Sequence, residues 1–167
     1  MKKLFFSMLV VATTFCCTSL NAQIELRGSG GFYRIEGGTD LLVSLDARYY
    51  ATEQIAFGLS YSWLKSPEDV SQSMFGIGGE YYFSDSEFQP YAGLSLGLLR
   101  FSSEVDMGPF GGSMSFSTSE LYVSPRGGVR YAVSDEIGVF GEVGYARILG
   151  DLSGNMITGG VGLSFRF

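Results

Sequence analysis

Apolar and polar side chains alternate residue by residue along most of this chain, and the alternation stops and restarts to give eight segments. A period of two marks a strand whose two faces meet different surroundings. The first segment, 24–35, puts Ile24, Leu26 and Phe32 on one face, with Gly28, Gly30 and Gly31 weakening the pattern. The second, 41–51, sets Leu41, Val43, Leu45, Ala47 and Tyr49 against Leu42, Ser44, Asp46, Arg48 and Tyr50. The third, 55–64, opposes Ile55, Phe57, Leu59, Tyr61 and Trp63 to Ala56, Gly58, Ser60 and Ser62. In the fourth, Phe75, Ile77, Tyr81 and Phe83 face away from Met74, Gly76, Gly78, Glu80 and Tyr82. The fifth begins at Tyr91 and separates Ala92, Leu94, Leu96 and Leu98 from Gly93, Ser95, Gly97 and Leu99. The last three run around Leu121 and Tyr131, around Ile137 and Tyr145, and from Met156 to the terminal Phe167.

These segments predict an all-β fold: an eight-stranded antiparallel up-and-down barrel. The spacing suggests tight connections at 52–54, 84–89 and 133–136 and longer ones at 65–72, 102–116 and 149–155, with a short link at 35–40 as the exception. Pro125 cannot donate to a ladder, so a bulge or a locally splayed pair is expected there. Beyond the N-terminal stretch no apolar run reaches the length of a membrane helix.

Alternation alone does not say which face is outside, since a soluble ligand-carrying barrel would carry the same pattern with its apolar face inward. Three features favour lipid outside. The apolar face is bulky while the other is largely Gly, Ser and charge, which suits a narrow bore. Aromatics gather near the strand ends: Tyr49, Tyr81, Phe83, Tyr131, Phe165 and Phe167 at one rim, and Tyr61, Trp63, Phe75 and Tyr145 near the other. Such belts form at membrane interfaces. Each segment also has the roughly 9–11 residues that a tilted membrane strand needs.

The N-terminus adds a fourth argument. Lys2 and Lys3, the apolar stretch 4–12 and the small Ala22 read as a cleaved signal peptide over 1–22, leaving one barrel domain over 23–167. Cys16 and Cys17 lack the preceding small residues of a lipoprotein signal and leave with the segment. The mature chain then has no cysteine, and the whole chain has no histidine. That excludes Ser-His-Asp and Cys-His catalysis and His- or Cys-ligated metals. No cofactor is expected, and acid/base work by a pair such as Glu80 and Glu142 is outweighed by the nearby arginines, so the chain reads as non-enzymatic. The formal charge of −6 becomes about −8 once the two signal lysines leave, and without a basic cluster the chain is a poor nucleic-acid binder.

The same phase puts Glu25, Arg27, Asp46, Arg48, Glu80, Arg126, Arg130, Glu142 and Arg166 on the inner face. Nine charges inside a narrow barrel must pair, which predicts a lumenal salt-bridge network that plugs the bore or, if the pairs exchange, gates it. The connection at 102–116 is read either as a mobile surface loop or as a protruding strand pair that offers edges to a surface protein partner. Its acidic pair Glu104 and Asp106, like Glu68 and Asp69, is unspecific as a cation site.

The chain ends Gly162-Leu163-Ser164-Phe165-Arg166-Phe167. A glycine followed by alternate aromatics and a terminal Phe resembles the β-signal of outer-membrane proteins, and the whole mature chain resembles the small OmpA/OmpX-type barrels. The resemblance implies the bacterial outer membrane as location and its lipid as surroundings. It also implies that Gly162, Phe165 and Phe167 are read by the barrel-assembly machinery during insertion. The function it implies is non-enzymatic support of envelope structure or surface interaction; a narrow porin-like channel is the alternative.

Overall fold

The computed structural model describes residues 23–35, 38–65, 70–106, 113–150 and 153–167. The proposed signal peptide and the tip of the 102–116 connection lie outside the described residues. Eight strands follow in order: β1 (Gln23–Ile35), β2 (Gly38–Tyr50), β3 (Ile55–Lys65), β4 (Val70–Tyr82), β5 (Phe88–Asp106), β6 (Ser113–Ala132), β7 (Ile137–Leu149) and β8 (Gly154–Arg166). Each pairs antiparallel with its sequence neighbour, and β8 closes onto β1.

The register fixes the stagger. The paired residues Gln23, Tyr50, Ala56, Glu80, Gly93, Arg126, Gly144 and Thr158 lead once around the barrel and return to β1 at Tyr33, ten residues further along. This shear tilts the strands, and eight of them leave a bore that side chains can fill.

The alternation has the sense read from the sequence. Leu45, Leu59, Ile77, Leu96, Val143 and Val161 are among the exposed large apolar side chains, whereas Glu25, Asp46, Arg48, Glu80 and Arg130 are buried. A soluble barrel would reverse this, because water would meet the apolar belt and the charges would lose their solvation.

Two turns at the end carrying both termini share one device. The Thr52 hydroxyl accepts from the Gln54 and Ile55 amides at 3.2 and 3.0 Å, and the Ser134 hydroxyl accepts from the Ile137 amide at 3.0 Å. The backbone closes alike in both, from Ala51 N to Ile55 O at 2.9 Å and from Val133 N to Ile137 O at 2.8 Å.

One expectation needs correction, and one resolves between its two alternatives. The connections are not longer at the far end: two, four, six and four residues separate the strands there, against four, five and four at the end with the termini. Strand pairing continues where the two-faced pattern fades, because backbone hydrogen bonding does not require one face to be apolar. The asymmetry sits instead in β5 and β6, of 19 and 20 residues, which pair as far as Asp106 with Ser113. Pro125 produces no bulge. The register of β6 with β7 is the same before and after it, but the pairs of Ser124 and Pro125 with β7 are absent while Leu94 still pairs with Pro125 across β5. This is a local splay on the side where the missing N–H would have donated.

Candidate functional site

The bore holds three layers. Nearest the termini is an ionic cluster built on two carboxylate hubs. Glu25 of β1 meets Arg27 at 2.5 Å, Arg130 at 2.9 Å and Arg166 at 3.2 Å. Glu80 of β4 meets Arg27 at 3.2 Å, Arg48 at 3.1 Å and Arg126 at 3.1 Å. Arg27 therefore ties the hubs together. Asp46 pairs with Arg48 at 3.0 Å and stands 4.0 Å from Arg126. Glu142 differs from the other eight: it makes no ion pair with a described residue and accepts from the Tyr91 hydroxyl at 2.9 Å.

Neutral groups complete this layer. Tyr82 donates to Glu80 at 2.9 Å and accepts from Arg27. Arg130 donates to Gln89 at 2.9 Å and to Ser164 at 3.1 Å. The Arg166 guanidinium lies 4.1 Å from the Tyr50 ring centroid, and Arg27 lies over Tyr91 and Phe140 at 5.3 and 5.2 Å. Inward glycines make the room. A Cβ on Gly58 would stand 2.5 Å from the Arg48 side chain, on Gly138 2.9 Å from the Arg130 guanidinium, and on Gly93 2.9 Å from Glu80. Burying this many charges is tolerable only because nearly all are paired or hydrogen-bonded, and removing one partner costs about 3–5 kcal/mol.

Above the cluster lies a small polar chamber of about 50 Å³, lined by Ser44, Ser60, Ser62, Ser95, Ser124 and Thr158 beside Asp46, Arg126 and Glu142. That volume accommodates one or a few water molecules.

The third layer, toward the far end, is apolar. Tyr33, Leu64, Met74, Leu99, Tyr122, Ala146, Ile148 and Met156 form one buried cluster, with Leu42 packed against it. All eight strands contribute, so side chains span the bore. Among the described residues, no group of three or more His, Cys, Asp or Glu is placed to hold a metal ion.

All seven residues Asp46, Arg48, Glu80, Arg126, Arg130, Glu142 and Arg166 thus face the lumen; six are joined by ion pairs through Glu25, Arg27 and Glu80, and Glu142 stands apart beside the chamber. Sequence reasoning missed the apolar layer and the polar partners Gln89, Ser164, Tyr82 and Tyr91. The signal for the apolar layer was present at Leu64, Leu99, Ile148 and Met156, apolar residues on the small and polar face. Phe165 and Phe167 of the terminal motif face outward and are exposed. Gly162 faces the bore, where a Cβ would stand 2.8 Å from the Phe140 ring. The last residue is tied to the first strand, with Phe167 N donating to Ile24 O at 2.8 Å.

The family model for the outer membrane protein beta-barrel domain matches residues 12–165. The chain belongs to this family. No curated protein sequence matches it. Among solved structures, the N-terminal β-barrel domain of Pseudomonas aeruginosa OprF has a TM-score of 0.65 at 16% identity, covering 87% of this chain and 97% of that one. Neisserial surface protein A gives 0.65 at 21% identity, covering 87% and 95%. The outer membrane enzyme PagL gives 0.52 at 12% identity, covering 84% and 98%. The protein is therefore an integral β-barrel of the bacterial outer membrane, of the OmpA/OmpX type. Since an enzyme shares the architecture, catalysis has to be argued from the site and not from the fold. The end where β5 and β6 overhang corresponds to the outer face and the end with the termini to the periplasm.

Proposed function

We propose that the protein is a non-enzymatic, non-conducting scaffold that supports envelope structure and displays a surface for interaction. The observation that carries this reading is the doubly closed bore: an ionic cluster near the periplasm and an apolar layer from all eight strands near the outside. An ion would have to shed its hydration shell at the apolar layer after breaking paired charges below it. The outer overhang supplies the surface. β6 pairs with β7 only from Leu121, so the backbone of Ser113 through Glu120 has no described partner on that side. An unpaired edge of this kind accepts an added strand from a surface protein, which is the use proposed for residues 102–116. During insertion, Gly162, Phe165 and Phe167 are proposed as the segment read by the assembly machinery.

The test is single-channel conductance in a planar bilayer for the wild type, Arg130→Ala and Glu142→Ala. Silence in all three is expected, because the apolar layer still closes the bore when the ionic cluster is disturbed. Discrete openings of the wild type would overturn the scaffold reading. One observation favours a gated narrow channel as the second reading: the polar chamber with Glu142 free of an ion pair among the described residues. Openings altered by either substitution would establish it.

A further inference from the structure

A half-enclosed cavity of about 360 Å³ opens at the outer mouth of the bore, directly on the apolar layer. Leu99, Ile148 and Met156, three members of that layer, form its floor. Ile35, the last residue of β1, and Phe101 of β5, which packs against the layer, form its walls. Arg147 and Asn155 stand at the rim and hold each other, the guanidinium donating at 3.3 Å. The volume lies near the lower end of the range for ligand sites, about 300–1,000 Å³.

One lining residue differs from the rest. Gln72 is on the lumen face of β4, two positions before Met74, and its cross-strand neighbours are Leu64 and Phe101. It is 9% exposed, and among the described residues its side-chain amide makes no hydrogen bond. A buried amide without a partner costs about 1–3 kcal/mol. A leucine at this position would extend the apolar layer at no such cost. The other buried lumenal glutamine is satisfied: Gln89 accepts from Arg130 at 2.9 Å. Nor is the Gln72 amide sealed by packing, as the unpartnered Arg130 Nη2 is deeper in the bore. It therefore faces the cavity that it lines.

We propose that this cup binds a small uncharged amphiphile from outside the cell, with its apolar body on Leu99, Phe101, Ile148 and Met156 and a single hydroxyl or carbonyl group on the Gln72 amide. The amide suits either group, because it donates through Nε2 and accepts through Oε1. Charge on the ligand is selected against. An ion would lose its hydration on the apolar floor. An anion would also meet Asp40 and Glu120, which hold lumen-side positions of β2 and β6 at this end. One polar contact on an otherwise apolar surface fixes orientation, and the floor supplies the affinity.

The test uses the protein purified from the membrane and reconstituted in nanodiscs, with labelled methionine and leucine methyl groups followed by NMR. The probe is benzyl alcohol. In the wild type the Met156 methyl is expected to shift and saturate, while the lipid-facing Leu59 methyl shifts only in proportion to the probe dissolved in the bilayer. Gln72→Leu is expected to weaken the saturable binding about fivefold, the loss of one neutral hydrogen bond. Toluene, which has the ring without the hydroxyl, is expected to bind Gln72→Leu at least as well as wild type. A Met156 shift that tracks Leu59 without saturating would overturn the site. Equal affinity of wild type and Gln72→Leu for benzyl alcohol, or an equal loss of toluene binding, would overturn the contact with the amide. If Gln72→Leu does not insert, Gln72→Met takes its place with the same expected and overturning results.

Discussion

The periplasmic and outer halves of the bore close the same barrel with opposite chemistry. In the lower half Glu25 and Glu80 each hold three arginines, and Arg27 belongs to both sets, so no pair is independent. In the upper half Leu64, Leu99, Ile148 and Met156 contribute by contact alone. The difference teaches how each seal should fail. An ionic hub fails as a unit, because its removal leaves several buried charges without compensation. An apolar layer fails locally, because each side chain loses only its own contacts and leaves a cavity.

The largest expected effect follows from this contrast. Glu25→Ala strands Arg130 and Arg166 and takes one partner from Arg27, so a loss of about 5 kcal/mol is expected, at the top of the range for a broken buried pair. Urea unfolding in detergent micelles measures it. Coupling is the sharper readout: a double-mutant cycle of Glu25→Ala with Arg130→Ala should show about 1–3 kcal/mol of non-additivity. Additive losses would break the comparison, because the lower half would then be a set of separate pairs.

Leu99→Ala should cost less, about 3 kcal/mol, as a buried large-to-small change. Leu99 is 1% exposed and lies in the apolar cluster, so the loss should combine nearly additively with Arg130→Ala in the other half. The same urea titrations check this. A strong coupling between the halves would mean that the polar chamber transmits strain and that the bore is one unit rather than two.

Much of this division was legible in the sequence, and the parts that were not share a physical reason. A residue such as Leu59 or Glu80 declares its face by its immediate neighbours, so the strands, their sense and the lumenal charges could be read locally. The two hubs could not be read in detail, because Glu25 meets Arg166 across 141 positions and only barrel closure brings them together. The apolar layer was hidden for the same reason: Leu64, Met74, Leu99 and Met156 are single exceptions on four polar faces, and the ten-residue shear gathers them at one level. The strand overhang was legible only as one of two readings, because Ser113, Ser115, Ser117 and Ser119 alternate with residues of mixed character, so the two-faced contrast that signals a strand is weak.

The smallest expected effect lies at the boundary of the halves. Ser124 lines the chamber, Ala146 belongs to the apolar layer, and Arg126 joins the ionic cluster. Between them β6 and β7 splay at Pro125. Two causes are separable. If the missing N–H alone opens the ladder, Pro125→Val restores one donor, and stability should rise by about 0.5–1 kcal/mol. Hydrogen exchange at the Tyr145 amide, which faces β6, should slow at the same time. If instead the chamber holds the strands apart to keep room for Ser124 and Arg126, the valine gains no partner, exchange stays fast, and stability is unchanged or lower. The first result makes the splay a local consequence of one residue and leaves the halves independent. The second makes it part of the polar layer, and the bore would then have to be treated as three coupled levels.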